Sequence, residues 1–164
     1  VLVQSFTPSK SQKRLLKRNQ QFKVVVSEQI KPSYYPLYEQ YINNIHNDGS
    51  MFPASEQQFQ SFTLNNITAQ YYIEIWHDET LINVAVTDKI PHALSAVYTF
   101  YHPDYRKYGL GVFSILKQIE IAAQLEHQFL YLGYQITQCD KMNYKNRYNP
   151  HQILVENQWQ TVNK

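Results

Sequence analysis

Apolar residues recur along this chain at two different periods, and the switches between them mark out its elements. Leu15 and Leu16 are the only large apolar anchors of a short polar segment, SQKRLLKRNQ (11–20), which reads as a helix capped by Ser9 or Ser11. A β-branched run, FKVVVSEQI (22–30), predicts a strand. The interval 32–36, with a proline at each end, breaks it. Leu37, Tyr38, Tyr41, Ile42 and Ile45 then form a helical stripe that Asn47-Asp48-Gly49-Ser50 ends. A second short helix is predicted over 56–62, with Ser55 as its cap. Three strands follow at 70–76, 81–86 and 94–101, the first two joined by the turn His77-Asp78-Glu79-Thr80. His102-Pro103-Asp104 stops the third, because proline has no amide to give a ladder. Val112, Ile115, Leu116, Ile119, Ala122 and Ala123 return to helical spacing, while Ser114, Lys117, Gln118 and Gln124 fall off that stripe. A strand over 129–134, a mixed loop, and a hairpin of 152–155 and 159–162 turning at Glu156-Asn157-Gln158 complete the pattern. Two strands joined through a helix imply a parallel pair with a right-handed crossover. The expectation is one α/β domain over 1–164, a mixed central sheet flanked by helices, with no internal repeat.

The chemistry lies between the 94–101 strand and the helix after it. Arg106-Lys107-Tyr108-Gly109-Leu110-Gly111 leads directly into that helix. Gly109 and Gly111 are expected to permit backbone turns that a side chain would obstruct. A helix starting there presents unpaired amides and the positive end of its dipole, beside the charges of Arg106 and Lys107. Together these predict a site for a phosphate or another anion. The pattern Arg-x-x-Gly-x-Gly, following a strand and opening a helix, resembles the acyl-carrier loop of the GNAT acyltransferases. A dinucleotide fingerprint would need glycine where Ser114 stands, and a nucleotidase phosphate loop would need Gly-Lys-Ser/Thr.

Charge sharpens that picture. The net charge of +2 conceals a segregation: Lys10, Lys13, Arg14, Lys17, Arg18 and Lys23 are six of the 15 basic residues. Positions 32–88 hold none, and basic residues return at Arg106, Lys107, Lys117, Lys141, Lys145 and Arg147. Two basic runs bracketing a glycine loop point to a polyanion on one face. In 141–148 three cations interleave with Tyr144 and Tyr148, an arrangement suited to holding phosphates and stacking a base. Cys139 stands alone, so no internal disulfide forms; a reducing compartment and a cytoplasmic location are expected, with no membrane partner. Cys139 as a nucleophile would have its thiolate opposed by the adjacent Asp140. His46 with Asp48, and His77 with Asp78 and Glu79, lack metal-ligand spacing and read as solvated turn residues, so no metal is expected. No Gly-x-Ser-x-Gly elbow is present, which argues against a serine hydrolase.

A longer series of segments resembles a known family. FTPSKSQKRLLKRN (6–19), DGSMFPAS (48–55), INVAVTDKIP (82–91), LSAVYTFYHPD (94–104), LGVFSILKQIEIA (110–122), FLYLGYQI (129–136), CDKMNYKNRYNP (139–150) and QILVENQW (152–159) are the matching pieces. In this order they resemble the C-terminal part of the aminoacyl-tRNA–protein transferases, above all the bacterial leucyl-transferring branch. The resemblance implies a GNAT-like fold and aminoacyl transfer, leucine first, from tRNA to the α-amine of acceptor proteins beginning with Asp or Glu. It further implies downstream N-degron protease machinery and aminoacyl-tRNA as co-substrate, with no other cofactor in this chain.

On that reading Lys10, Lys13, Arg14, Lys17, Arg18, Arg106, Lys107, Gly109, Gly111 and Arg147 bind tRNA, and Lys141 and Lys145 bind the acceptor. Asp88 and Tyr134, expected at the ends of neighbouring strands, are the candidates for holding or deprotonating the amine. The family has an arginine-serine pair where this chain has Tyr108-Gly109, and often an aromatic residue at Gln135. The chain opens on Val1, and the family's N-terminal region with its cysteine pairs is expected to precede it; without that region the domain is expected to fold but not necessarily to act. The rival classes are an acyl-CoA-dependent N-acetyltransferase and a non-catalytic RNA-binding module.

Overall fold

The computed structural model describes residues 1–64, 67–136, 138 and 140–163, and for Asp140 and Lys141 the backbone alone. Five strands form the central sheet: β1 (Lys23–Ser27), β2 (Gln70–His77), β3 (Thr80–Ile90), β4 (Ala93–Tyr101) and β5 (Phe129–Tyr131). They lie in sequence order, antiparallel up to β4, with β5 parallel to β4. That is the mixed sheet the sequence predicts. The helices are α1 (Lys10–Arg18), α2 (Tyr34–Ile45), α3 (Glu56–Thr63) and α4 (Leu110–Gln124). A separate hairpin, β6 (His151–Val155) and β7 (Gln158–Val162), turns on Glu156 and Asn157, both at positive φ, as a two-residue turn requires.

The sheet is a partition between two cores. On one face α2 and α3 bury Tyr34, Leu37, Tyr38, Ile42 and Phe59 against Tyr72, Val84, Val86 and Phe100. On the other, Leu116, Ile119 and Ala122 of α4 pack on Leu94 and Leu130, and Leu110 and Phe113 pack on Ile75 and Ile82. α1 lies on this second side, where Leu15 and Leu16 join both α4 clusters.

Several elements depart from the sequence reading. β1 is shorter than expected, and Phe22 just before it is a core residue. α2 begins inside the interval read as a break. Pro36 occupies its first turn, where an amide has no helical partner in any case. β5 ends at Tyr131 rather than Tyr134. Two stretches read as loops are 3-10 helices, Pro103–Tyr108 and Asp140–Arg147. Ser114 and Gln118, expected off the buried stripe, are fully buried. The Ser114 hydroxyl donates to Asn83 Oδ1 at 3.1 Å, and Gln118 Nε2 donates to Thr87 Oγ1 at 2.7 Å. A polar seam therefore runs between α4 and the central strand. Lys117 stays on the outer side and pairs with Glu120 at 2.7 Å.

Candidate active site

The 3-10 helix Pro103–Tyr108 aims α4. His102 caps it by accepting from the Asp104 amide at 3.3 Å, and Gly109 ends it in the left-handed region at φ 63° and ψ 43°. The same glycine opens α4. Its amide donates back to the Arg106 carbonyl, and its carbonyl accepts the first α-helical bond, from Phe113 at 3.0 Å. The amides of Leu110, Gly111 and Val112 precede that bond, and Gly109 has no side chain to cap them. They carry the positive end of a 15-residue helix. A Cβ at Gly109 would be strained and would stand 3.3 Å from Leu15 Cδ1. Gly111 is ordinary helix with open space around it, so the expectation that it supplies a turn is corrected: only Gly109 needs to be glycine.

α1 is seated beside this terminus. Ser9, rather than Ser11, caps it in a full capping box with Gln12. Gln12 is buried and donates to the Arg147 carbonyl at 3.1 Å, which ties α1 to the 3-10 helix Asp140–Arg147. Asn19, also buried, donates to the Tyr108 carbonyl at 3.0 Å, which ties the other end of α1 to the loop. With its apolar side so anchored, Lys10, Lys13, Arg14, Lys17 and Arg18 are all exposed, and among the described residues none forms an ion pair with a carboxylate. Arg18 and Lys107 lie over the Tyr108 ring at 6.0 and 5.3 Å. The fold thus gathers three basic segments, far apart in sequence, around the open end of α4.

A groove of about 550 Å³ runs from there between α1, the first turn of α4 and the Asp140–Arg147 helix; Gln12, Leu15, Val112, Tyr144, Arg147 and Tyr148 are among its lining. The sheet itself is open along part of β4. β5 pairs with β4 only at Ala93–Ser95, so among the described residues 96–101 of β4 are hydrogen-bonded on one side alone. The β3–β4 register also slips by one residue between Val86 and Thr87, which adds Val97 to β4 and bends that edge. Here tyrosines collect. Tyr41 of α2 meets Tyr101 edge-on at 4.9 Å, and its hydroxyl is 2.8 Å from His46 Nε2. Burial pushes the Tyr41 phenol well above the ordinary tyrosine range; Tyr101, Tyr98 and Tyr144 add to this and the Arg106 charge opposes it. Burial likewise raises Tyr101 and Tyr144, and carries Tyr98 up to about 12. All four are neutral O–H donors at physiological pH. Tyr144 lines the groove and also acts electrostatically on Tyr41.

The two residues assigned to the amine are not brought together. Asp88 lies on β3, opposite Ser95 of β4, and accepts from Gln70 Nε2 at 2.8 Å. Tyr134 lies beyond β5, with β4 between, and its side chain is 89% exposed. The expectation of neighbouring strand ends is therefore corrected. Lys145 donates to the Tyr134 carbonyl, and burial draws its ammonium below the usual lysine value. The side chain of Lys141, and all of Cys139, lie outside the described residues. His46 and His77, read as solvated turn residues, both bond to tyrosines; His77 Nδ1 is 2.9 Å from the Tyr105 hydroxyl. The Tyr41–His46 pair was missed because five residues separate its members, which is not a one-face helical spacing. Only the turn that follows α2 brings the imidazole back. Among the described residues no three His, Cys, Asp or Glu side chains gather as metal ligands, and no helix is long and apolar enough to cross a membrane.

A sheet opened at a bent fourth strand, with an uncapped helix terminus at the end of that strand, defines the GNAT acyltransferase fold. The ribosomal-protein-S18-alanine N-acetyltransferase of Escherichia coli superposes with a TM-score of 0.55 at 16% identity, covering 79% of each chain. L-PGS from Bacillus licheniformis does so at 0.57 and 9% identity, over 85% of this chain and 46% of that one. Sequence relatives are more specific. Aspartate/glutamate leucyltransferase of Pseudoalteromonas atlantica is 50% identical over the whole chain, which covers 71% of that protein. Its namesakes in Aeromonas hydrophila and Acinetobacter baylyi are 45% and 42% identical, over 96% and 100% of this chain and 66% and 61% of theirs. The family described as "Arginine-tRNA-protein transferase, C terminus" matches residues 33–155, and this chain belongs to it. The chain spans about two thirds of the length of these relatives.

Proposed function

We propose that this domain carries the transfer step of its family: leucine passes from leucyl-tRNA to the α-amine of a protein beginning with aspartate or glutamate. The observation that carries the reading is the group of five exposed cations on α1, without a carboxylate partner among the described residues, joined by Lys107, Arg106 and Arg147 around the first amides of α4. One pyrophosphate needs a helix terminus and a charge or two; a surface this wide suits a nucleic acid. In this reading the terminal phosphates of tRNA lie against Gly109 and Gly111, and the terminal nucleoside follows the groove past Tyr144. The aminoacyl ester then arrives at the free edge of β4. The ester is already activated, so no covalent enzyme intermediate is required. Positioning does most of the work, together with neutral phenols that donate to the developing oxyanion.

The acceptor's carboxylate is assigned to Lys145 or Lys141, the two lysines of the Asp140–Arg147 segment. The hydrogen bond from Gln70 favours a structural task for Asp88, and the exposure of Tyr134 leaves it free to touch an acceptor. The product would feed proteolysis that reads an N-terminal leucine, in the cytoplasm. The test offers the intact protein leucyl-tRNA, uncharged tRNA and acetyl-CoA together with an Asp-initiated peptide. Leucylated peptide is expected, and Arg106→Ala reduces it. Acetylated peptide without leucine transfer would make this an N-acetyltransferase, and tRNA binding with neither product would make it a binding module.

A further inference from the structure

We propose that Tyr41 and His46 form the proton relay of the transfer reaction, taking the proton that the acceptor amine must lose. The inference rests on the reading above, since it names the group that serves the same site. Three observations carry it. The Tyr41 hydroxyl and His46 Nε2 are 2.8 Å apart, a hydrogen bond ready to pass a proton. Tyr41 lies against Tyr101, the last residue of the β4 edge that is unpaired among the described residues, and it feels the field of Tyr144, which lines the groove. In this proposal the acceptor amine must reach the Tyr41 oxygen along the open edge of β4, with the imidazole hydrogen-bonded to that oxygen.

The titratable and charged groups that act on the phenol come from three elements. Tyr98 and Tyr101 belong to β4, Tyr144 to the Asp140–Arg147 helix, and Arg106 to the Pro103–Tyr108 helix. None is a carboxylate. Asp48, two residues after His46, is exposed. The three surrounding tyrosines are themselves held neutral by burial, and the His46 imidazole is the group hydrogen-bonded to the Tyr41 oxygen that can take up its proton. The high proton affinity of the Tyr41 phenol means that it never rests as phenolate; it must accept a proton as it gives one.

The step balances accordingly. The ammonium of the acceptor gives one proton to the Tyr41 oxygen as the Tyr41 hydroxyl proton moves to His46 Nε2, so imidazolium forms and the phenol is restored. The freed nitrogen lone pair attacks the ester carbonyl and a C–N bond forms. As the tetrahedral intermediate collapses the C–O bond breaks, and the ribose oxygen leaves with a second proton from the same nitrogen. His46 then returns its proton to water.

The test measures leucine transfer from leucyl-tRNA to an Asp-initiated peptide by the intact protein across pH 5.5 to 9, with Tyr41→Phe and His46→Gln beside the unsubstituted chain. Both changes keep the ring or the hydrogen-bonding capacity, and melting curves check that the fold is retained. In the unsubstituted protein kcat should rise with pH along a limb set by deprotonation of the relay. In His46→Gln that limb should move up toward the free α-amine value of about 8. Each substitution should lower kcat about a hundredfold at pH 7, the scale of general acid–base catalysis, with KM for leucyl-tRNA changed less than threefold. Unchanged rates overturn the proposal, and so does a fall in rate that leaves the limb where it was, since a merely structural role would do that. No leucine transfer by the unsubstituted protein would instead overturn the reading of the site on which the relay rests.

Discussion

Replacing Lys13, Arg14 and Lys17 together by alanine probes the basic surface without touching what holds it in place. α1 is anchored by Leu15, Leu16, Gln12 and Asn19, and none of the three replaced residues forms an ion pair among the described residues. Surface changes of this kind typically shift stability by less than about 0.5 kcal/mol each, and alanine favours the helix, so melting should hardly move. Binding should move a great deal. If all three cations meet phosphates, the slope of log affinity against log salt flattens by about 2 to 3, between the single-strand and duplex limits. From about 50 to 200 mM salt the parent then loses roughly 20- to 40-fold more affinity than the variant. The assay is a fluorescence-anisotropy titration of labelled tRNA at four salt concentrations. An unchanged slope, in a variant whose melting is also unchanged, would show that α1 does not face the nucleic acid.

Two further perturbations test the scaffold. Gly109→Ala places a Cβ at a left-handed position against Leu15 and should cost about 1–2 kcal/mol, whereas Gly111→Ala, in open helical space, should be neutral or stabilise by up to about 1 kcal/mol; equal melting shifts would refute the distinction. Glu74 is 1% exposed and is held by Lys31 at 2.5 Å, by Trp76 Nε1 at 2.9 Å and by the Tyr34 hydroxyl. Burial raises its carboxyl, but the hydrogen bonds from Lys31, Tyr34 and Trp76 outweigh this and leave it below the usual glutamate value. A group that titrates lower folded than unfolded contributes fully above about pH 4.3, and that contribution fades as pH falls through the folded value. Glu74→Gln should therefore lower stability at pH 7 by about 1–3 kcal/mol and flatten the acid limb of the stability curve; a variant with the parent's acid limb would contradict this.

What the sequence determined by itself is local. Helical and alternating periods placed α2, α3, α4 and the strands to within a few residues, because a face that must be buried repeats with the geometry of its own backbone. The strand–loop–helix around Gly109 was legible for the same reason: glycine, neighbouring cations and an emerging helix are contiguous in the chain. The basic runs could be counted, but not joined. That α1, Lys107 and Arg147 share one surface was decided by Leu15 packing on Gly109 and by the Gln12 bond to Arg147, contacts across 94 and 135 positions that no local period encodes. The buried seam of Ser114 and Gln118 was hidden because a polar side chain off an apolar stripe looks solvated until Asn83 and Thr87 on a distant strand satisfy it. The cluster of Tyr41, His46, Tyr98, Tyr101 and Tyr144 draws on α2, the turn after it, β4 and the Asp140–Arg147 helix. It gathers beside the stretch of β4 that β5 leaves after three pairs, so the candidate site lies where a strand stops, and that is a property of the assembled sheet.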